Sequence, residues 1–316
     1  MHSQLPHALL AAAFACSIAS APAHARARVF VASYGNDANP CTFLSPCKTF
    51  QQAVNVVDTG GEVTAIDSVG FGPISISQSV TITSPPGIEA GIAVPSGGVG
   101  ITVSAGSSDA VQLRGLTIDG ASVGKFGIKM SSGASLEIVG CVVRNFTSDG
   151  IHLAPSNTAT FLIQETNASQ NANAGIYISN GGGGLNIYGV VSHSTMDNNG
   201  IGFDQFATTL SSGATSSVSI VDSVASNNVN QGFRAEGDAS AAFLTLHNVT
   251  ASNNDKGIVG TVTSGTTTIR IGHSLITGNT TGVQQSNFSV IDSYGDNDIN
   301  GNTTDVVGTL SSVSQR

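Results

Sequence analysis

Residues 148–177 read SDGIHLAPSNTATFLIQETNASQNANAGIY and contain one complete repeat unit of this chain. One unit opens with Gly150-Ile151 and the next with Gly175-Ile176. The same pair, a glycine followed by a large apolar residue, begins at Gly100, Gly127, Gly150, Gly175, Gly202, Gly232, Gly257 and Gly282. Successive units are therefore 27, 23, 25, 27, 30, 25 and 25 residues long. A period in this range indicates a solenoid or an array of repeats.

Each unit has room for three short strands. The first begins at the Gly-Ile pair, and the second alternates apolar and polar residues in pairs such as Leu136/Ile138, Phe161/Ile163 and Leu185/Ile187. The third contains Val143, Ala168, Ala225, Ala251 and Ile276 at equivalent positions. The consensus of a leucine-rich repeat and the four strands of a propeller blade are both missing. The pattern predicts an all-β fold, a single-stranded right-handed parallel β-helix of about nine or ten coils spanning residues 61–316.

An asparagine recurs in the turn after the third strand, at Asn171, Asn228, Asn254, Asn279 and Asn302. Amides stacked in successive coils can hydrogen-bond along the column, and asparagine tolerates the left-handed backbone of a sharp turn. We therefore expect an asparagine ladder. The same alignment places Cys141 in an interior row with Thr166, Ser223, Val249 and Ser274, which predicts a buried thiol that fills space in the core.

The N-terminal part of the chain reads as an export signal and an entry segment. Residues 8–21 form an apolar run that is too short to span a membrane, and Ala23-His24-Ala25 offers a cleavage site, so residues 1–25 are predicted to be a signal peptide. Residues 26–60 are expected to hold an N-terminal strand, a loop closed by a Cys41–Cys47 disulfide, and a capping helix. A metal pair is the alternative for these two cysteines. The helix is predicted to start after Thr49 as N-cap, with Gln52 at N3, and to end at Gly60-Gly61.

Composition limits the class of partner. The 316 residues include 38 glycines and no tryptophan, only 10% are charged, and the formal net charge is −9. Few charged residues argue against a mainly helical protein, and the negative charge argues against nucleic acid. No later segment is long and apolar enough to cross a bilayer. We expect a secreted or periplasmic monomer.

The Gly-Ile anchors and the asparagine column, together with the N-terminal segment GNDANPC…PCKTFQQAV, resemble the pectin-lyase-like superfamily of right-handed parallel β-helices, and its secreted bacterial members in particular. The resemblance covers nearly all of the mature chain. It implies the fold, and the superfamily includes lyases, hydrolases, epimerases, tailspikes and adhesins. The motifs of alginate epimerases and polygalacturonases do not occur in this sequence. The resemblance also implies a role for the helix, which would cover the open N-terminal end of the apolar stack.

Alternation along the first strand identifies a row of outward-facing side chains, which we call the outer stripe: Lys129, His152, Tyr177, Asp204 and Arg234. Asp149 precedes His152, and Glu236 follows Arg234 on the same face. Elimination or epimerisation of a uronic acid needs a cation for the carboxylate, a base and an acid. Arg234 or Lys129, His152 and Tyr177 are candidates for these roles in that order, and Lys129, Asp204, Glu236 and Asp149 are candidates for substrate binding.

Two functions from different classes remain open. The chain is a binding module for polysaccharide or a surface partner, or it is a polyuronate lyase or epimerase. The simpler interpretation of the outer stripe is that an exterior β-face is polar because it meets water. The connection 207–217 is a candidate wall for a groove. No cofactor or metal is predicted, because Asp296-Asn297-Asp298-Ile299-Asn300-Gly301 begins like a calcium loop but has Val307 where a glutamate should follow. That segment is better explained as the last coil.

Overall fold

A computed structural model describes residues 26–180, 185–208 and 213–314, so the predicted signal peptide lies outside the described residues. The strands form three parallel sheets that run the length of a right-handed solenoid, which confirms the predicted β-helix. From Glu62 onward, consecutive strands of the chain belong to different sheets, and each strand pairs with its counterpart in the neighbouring coils.

The strands of each sheet follow in chain order. The first sheet contains Ile74–Ile76, Val99–Ser104, Phe126–Ser132, Ile151–Leu153, Ala174–Ser179, Ile201–Thr208, Gln231–Asp238, Lys256–Val262, Thr281–Gln285 and Thr304–Val307. The second contains Arg28–Val31, Glu62–Ala65, Val80–Thr83, Ala110–Arg114, Ser135–Val139, Ala159–Gln164, Ile187–Ser192, Thr215–Val221, Ala241–His247, Thr266–Gly272, Val290–Ser293 and Ser311–Ser312. The third contains Val69–Gly70, Ala90–Ala93, Leu116–Asp119, Val142–Arg144 and Asn167–Ser169, then Val224–Ser226, Thr250–Ser252, Leu275–Thr277 and Asp298–Ile299. Bridges through Thr195 connect its two parts.

The first sheet stacks the predicted Gly-Ile pairs in register. Ile128, Ile151, Ile176 and Phe203 form one buried column. The glycine before each apolar residue is required by close packing between coils. A Cβ atom on Gly202 would lie 2.6 Å from the carbonyl oxygen of Gly232, which is far inside van der Waals contact.

The second sheet corrects one predicted strand. Leu136/Ile138 and Phe161/Ile163 are in register as expected, but in the next coil Gly189 and Val191 occupy the equivalent positions. Ile187 is also buried, one inward position earlier, in register with Ala159. The strand begins at Ile187 and Leu185 lies outside it. Gly189 gives no apolar signal in the sequence, because its missing side chain makes room for the ring of Phe161, which would lie 2.3 Å from a Cβ atom there.

The asparagine ladder is present at the turn between the third and first sheets. Asn171, Asn228, Asn254, Asn279 and Asn302 stack as predicted, with Nδ2 to Oδ1 distances such as 3.0 Å between Asn228 and Asn254. Asn199 completes the column between Asn171 and Asn228 and was not predicted. Its coil lacks a full third strand and joins the third sheet only through bridges at Thr195.

A second buried polar column runs along the turn between the second and third sheets. The Thr166 hydroxyl accepts from the Cys141 amide at 3.4 Å, and the Ser274 hydroxyl accepts from the Val249 amide at 3.2 Å. Ser194 also belongs to this column. Cys141 is a buried free thiol, and burial raises its pKa to about 11. The prediction of an unreactive core residue is therefore supported by its environment.

The N-terminal end is closed by the predicted elements. Cys41 and Cys47 form a disulfide, and the helix Phe50–Val56 follows with Thr49 as N-cap. The Thr49 hydroxyl accepts from the Gln52 amide at 3.1 Å. The helix ends at Val56, earlier than predicted, because the Gln78 side chain donates to the carbonyls of Val54 and Val57 and satisfies the last turn. Across the three described ranges, no helix has both the length and the apolar character needed to cross a membrane.

Candidate functional site

The first sheet brings all five residues of the outer stripe into one row. Strand register pairs Lys129 with His152, His152 with Tyr177, Tyr177 with Asp204, and Asp204 with Arg234. Each member is therefore one rung, about 4.8 Å, from the next. The strand register places the five residues in the row expected from alternation, although Asp204 is buried at 4% exposure. The chemical roles of these residues stay predictions.

Asp149 fixes the orientation of His152. Its carboxylate lies in the turn before the strand and is 3% exposed. It hydrogen-bonds to His152 Nδ1 at 2.8 Å and accepts from the Asn173 side chain at 2.6 Å and the Ala174 amide at 3.0 Å. When neutral His152 donates from Nδ1, its Nε2 is the free acceptor. This geometry suits a general base.

Three rings stack along the outer stripe. The rings of Phe126 and His152 have centroids 4.8 Å apart, and those of His152 and Tyr177 also lie 4.8 Å apart and nearly parallel, at 17°. The bond of Nδ1 to Asp149 leaves the Nε2 edge of His152 for a ligand. The Tyr177 phenol is hydrogen-bonded to the Ser179 side chain. Burial raises the pKa of Tyr177, and the nearby Asp204 charge adds to this effect. The phenol therefore stays protonated and can act as a hydrogen-bond donor.

Asp204 and Arg234 form the other half of the outer stripe. Arg234 lies 3.3 Å from the Asp204 carboxylate and also pairs with Glu236. Burial raises the pKa of Asp204 to about 6, although the Arg234 charge acts in the opposite direction. Arg234 is thus occupied by two carboxylates, which makes it a poorer candidate than Lys129 for neutralising a ligand carboxylate.

The cationic end of the outer stripe lies at Phe126. The Lys125 and Lys129 ammonium groups are 5.1 Å and 5.5 Å from the centroid of that ring. In the part of the chain that the structure describes, neither lysine has a carboxylate within ion-pair distance. These two charges are therefore available to an acidic ligand.

Sequence reasoning missed Phe126, Lys125 and Asn173. A signal was present, because Phe126 and Asp149 occupy the same position, directly before the glycine of a Gly-Ile pair and three residues before the residue of the outer stripe.

Glu236 lies in the next outward row, in register with Phe206. The predicted wall 207–217 begins later than expected, since the strand continues to Thr208 through pairing with Asp238. Residues 209–212 of that connection lie outside the described residues.

The candidate calcium string is the last coil, as expected. Ile299 is in register with Ile276, and the side-chain oxygens of Asp296 and Asn297 accept from the amides of His273 and Ser274. Within the described ranges no three His, Cys, Asp or Glu side chains are grouped so as to hold a metal ion.

Comparison with known families agrees with this architecture. A family profile described as "Right handed beta helix region" matches residues 50–192, 93–245 and 126–304. This chain belongs to the right-handed β-helix family. The matched segments overlap by several coils, as expected for a repeat that can align in more than one register. Comparison with curated proteins finds no significant match in sequence.

Two solved structures illustrate the likeness of this right-handed β-helix to others. Pectate lyase Pel9A is 18% identical, with 91% of this chain and 77% of that chain covered and a TM-score of 0.54. XylC, solved in complex with xylose, is 7% identical, with coverage of 84% and 68% and a TM-score of 0.55. At these identities the likeness concerns the fold alone.

Proposed function

We propose that this protein is exported and binds a polysaccharide chain along the outer stripe. The observation that carries the proposal is the register of the stripe, which presents one polar side chain from each of five successive coils. A polymer with regularly repeated hydroxyl or carboxylate groups matches a row of donors and acceptors at rung spacing. The Cys41–Cys47 disulfide fits an oxidising compartment, and relatives in fold such as pectate lyase Pel9A are named for action on a polysaccharide.

Charge favours an acidic polymer. Lys125 and Lys129 carry positive charges that no described carboxylate neutralises, and they flank the ring of Phe126 beside His152. The protein as a whole carries −9, so attraction to a polyanion has to be local. A carboxylate placed beside Lys129 would lie next to His152 in the row.

Affinity electrophoresis tests the binding proposal. We expect alginate or pectate cast into a native gel to retard the protein, and Lys129→Ala to weaken binding by about tenfold, or about 1.4 kcal/mol. Lys48→Ala is the matched control, because this exposed lysine lies outside the first sheet. Equal retardation of the Lys129→Ala and Lys48→Ala variants, or no retardation of the natural protein by either polymer, would contradict the proposal.

Acid–base catalysis on the bound polymer is a second candidate, favoured by the fixed orientation of His152 on Asp149. In β-elimination on a uronic acid, His152 Nε2 would take the C5 proton while Lys129 neutralises the carboxylate. The C4–O4 bond would then break as a C4=C5 double bond forms, and the Tyr177 phenol would give its proton to the departing oxygen. In this scheme the outer stripe supplies the acceptor for the C5 proton, His152, and the donor of the proton that the departing oxygen takes, Tyr177.

The ultraviolet absorbance of unsaturated products provides the test of catalysis. Tyr177→Phe keeps the ring that stacks on His152 and removes only the hydroxyl, so we expect product formation to be lost while the melting temperature stays nearly unchanged. Binding by affinity electrophoresis should persist in this variant. If the natural protein binds alginate or pectate but forms no unsaturated product, the outer stripe is a binding surface without elimination chemistry.

A further inference from the structure

The outer face of the second sheet carries a regular row that the outer stripe does not use. Tyr188, Ser217, Phe243, Thr268 and Val290 are in register on five successive strands. We call it the apolar row, because Tyr188, Phe243 and Val290 occupy every second rung and are 42%, 40% and 42% exposed. Single exposed apolar residues are ordinary, but three aligned at a constant interval with a hydroxyl residue between them are not.

We propose that the apolar row binds an uncharged, extended β-1,4-linked polysaccharide that runs parallel to the solenoid axis. Two rungs span about 10 Å. Two sugar units of such a chain span a similar length, and alternate units present the same face. The apolar faces of alternate sugars would therefore contact Tyr188 and Phe243, while Ser217 lies at the intervening unit.

Charge sets the class of ligand. No member of the apolar row is charged, in a protein that carries −9. The nearest charged pair in the neighbouring outward row, Arg270 and Asp292, is 3.7 Å apart and neutralises itself. An uncharged chain meets no repulsion here, and a polyanion finds no cation to hold it. The apolar row thus differs in ligand chemistry from the outer stripe and does not depend on the function proposed for it.

The row is held rigidly. Phe243 borders a groove of about 450 Å³ that is also lined by Thr215, Ala241 and Thr266. Beneath it, the buried Gln205 side chain donates to the carbonyl oxygens of Ser216 at 3.0 Å and Phe243 at 3.2 Å. These bonds join two rungs of the row from inside the core. A platform on braced strands loses little conformational entropy on binding.

Affinity electrophoresis with hydroxyethylcellulose and with glucomannan as separate probes tests the proposal. We expect both polymers to retard the natural protein, and Tyr188→Ala and Phe243→Ala each to weaken binding by about fivefold or more. Tyr34→Ala, at a 69% exposed tyrosine near the N-terminus, should change nothing. Retardation in alginate should be the same in all three variants, which separates this proposal from that for the outer stripe.

Two outcomes would overturn the inference. One is that neither neutral polymer retards the natural protein. The other is that Phe243→Ala changes the sedimentation of the protein without changing its retardation, because the row would then be a contact between copies of the chain. Far-ultraviolet circular dichroism and melting curves of each variant establish that it is folded, as expected for changes at outward-facing side chains.

Discussion

At the scale of single residues, Asp204 is the buried carboxylate at the centre of the outer stripe. It is 4% exposed, and burial raises its pKa from 3.8 to about 6. Between these values the folded protein holds a proton that the unfolded chain has released. The stabilisation due to this proton is complete below about pH 4 and is lost as the pH rises through about 6. Near neutral pH, the burial of Asp204 therefore costs the fold free energy.

Asp204→Asn removes this cost with little change of shape. We expect the variant to exceed the natural protein in free energy of unfolding by about 1–3 kcal/mol at pH 7.5, and the difference to vanish towards pH 4. Arg234 retains Glu236 as a partner in the variant. Urea unfolding of both proteins at pH 4, 5.5 and 7.5 measures this difference in free energy. The contributions of the other carboxylates are the same in both proteins and cancel. The opposite result would be a variant that loses stability relative to the natural protein as the pH rises from 4 to 7.5. It would show that the ion pair of Asp204 with Arg234 outweighs the cost of burial.

At the scale of elements, the Gly-Ile pairs and the asparagine ladder depend on each other. A Cβ atom on Gly232 would lie 2.7 Å from the Gly257 carbonyl oxygen and 2.9 Å from Asn254 Nδ2. The glycines thus leave the space in which the ladder stands. Asn254 accepts from the backbone and side chain of Asn228, and it donates to the Ala225 carbonyl and to Asn279 Oδ1. A single amide in this column satisfies groups in the coils on both sides.

Asn254→Ala should therefore lower the free energy of unfolding by about 1–3 kcal/mol, because buried donors and acceptors in two coils lose their partner. Asn230→Ala is the matched control, since this asparagine lies in the turn of the preceding coil with its side chain exposed. Chemical unfolding of the two variants gives the comparison. Equal stability of both would mean that water replaces the lost amide in the turn.

The sequence was most informative wherever each coil repeats the same physical requirement. Inward apolar residues, close-packed glycines and stacked asparagines recur with the coil, so their rows could be predicted together with the outward stripe between them. Prediction failed where a coil departs from the average: at Gly189, which accommodates Phe161, and at Asn199, in the coil whose third strand is reduced to bridges at Thr195. The contact of Asp149 with Asn173 crosses between coils, and spacing along the chain does not reveal it.

At the scale of the whole molecule, each coil contacts mainly its neighbours, with exceptions such as the hydrogen bond from the Asn180 side chain to Ser240 two coils away. Stability is therefore close to a sum of local terms along one axis. The two ends of the solenoid differ. At the N-terminal end the helix Phe50–Val56 covers the core, and the ring of Phe50 contacts that of Phe71 at 4.6 Å. At the other end, the strand Thr304–Val307 is exposed along its whole length. Within the described ranges this strand, which contains the inward-facing Val306, is paired on one side only.

Hydrogen exchange should therefore be graded along the axis. We expect the amides of Thr304–Val307 to exchange at least about tenfold faster than those of Thr281–Gln285 in the coil before it, because local opening there exposes little further apolar surface. The amides of Glu62–Ala65, beside the helix, should be protected although they lie near the opposite end. Phe50→Ser removes the ring that covers this end, so protection at Glu62–Ala65 should fall while exchange at Thr304–Val307 stays the same. Loss of protection at both ends in this variant would show that the solenoid opens as one cooperative unit and that local terms do not govern its stability.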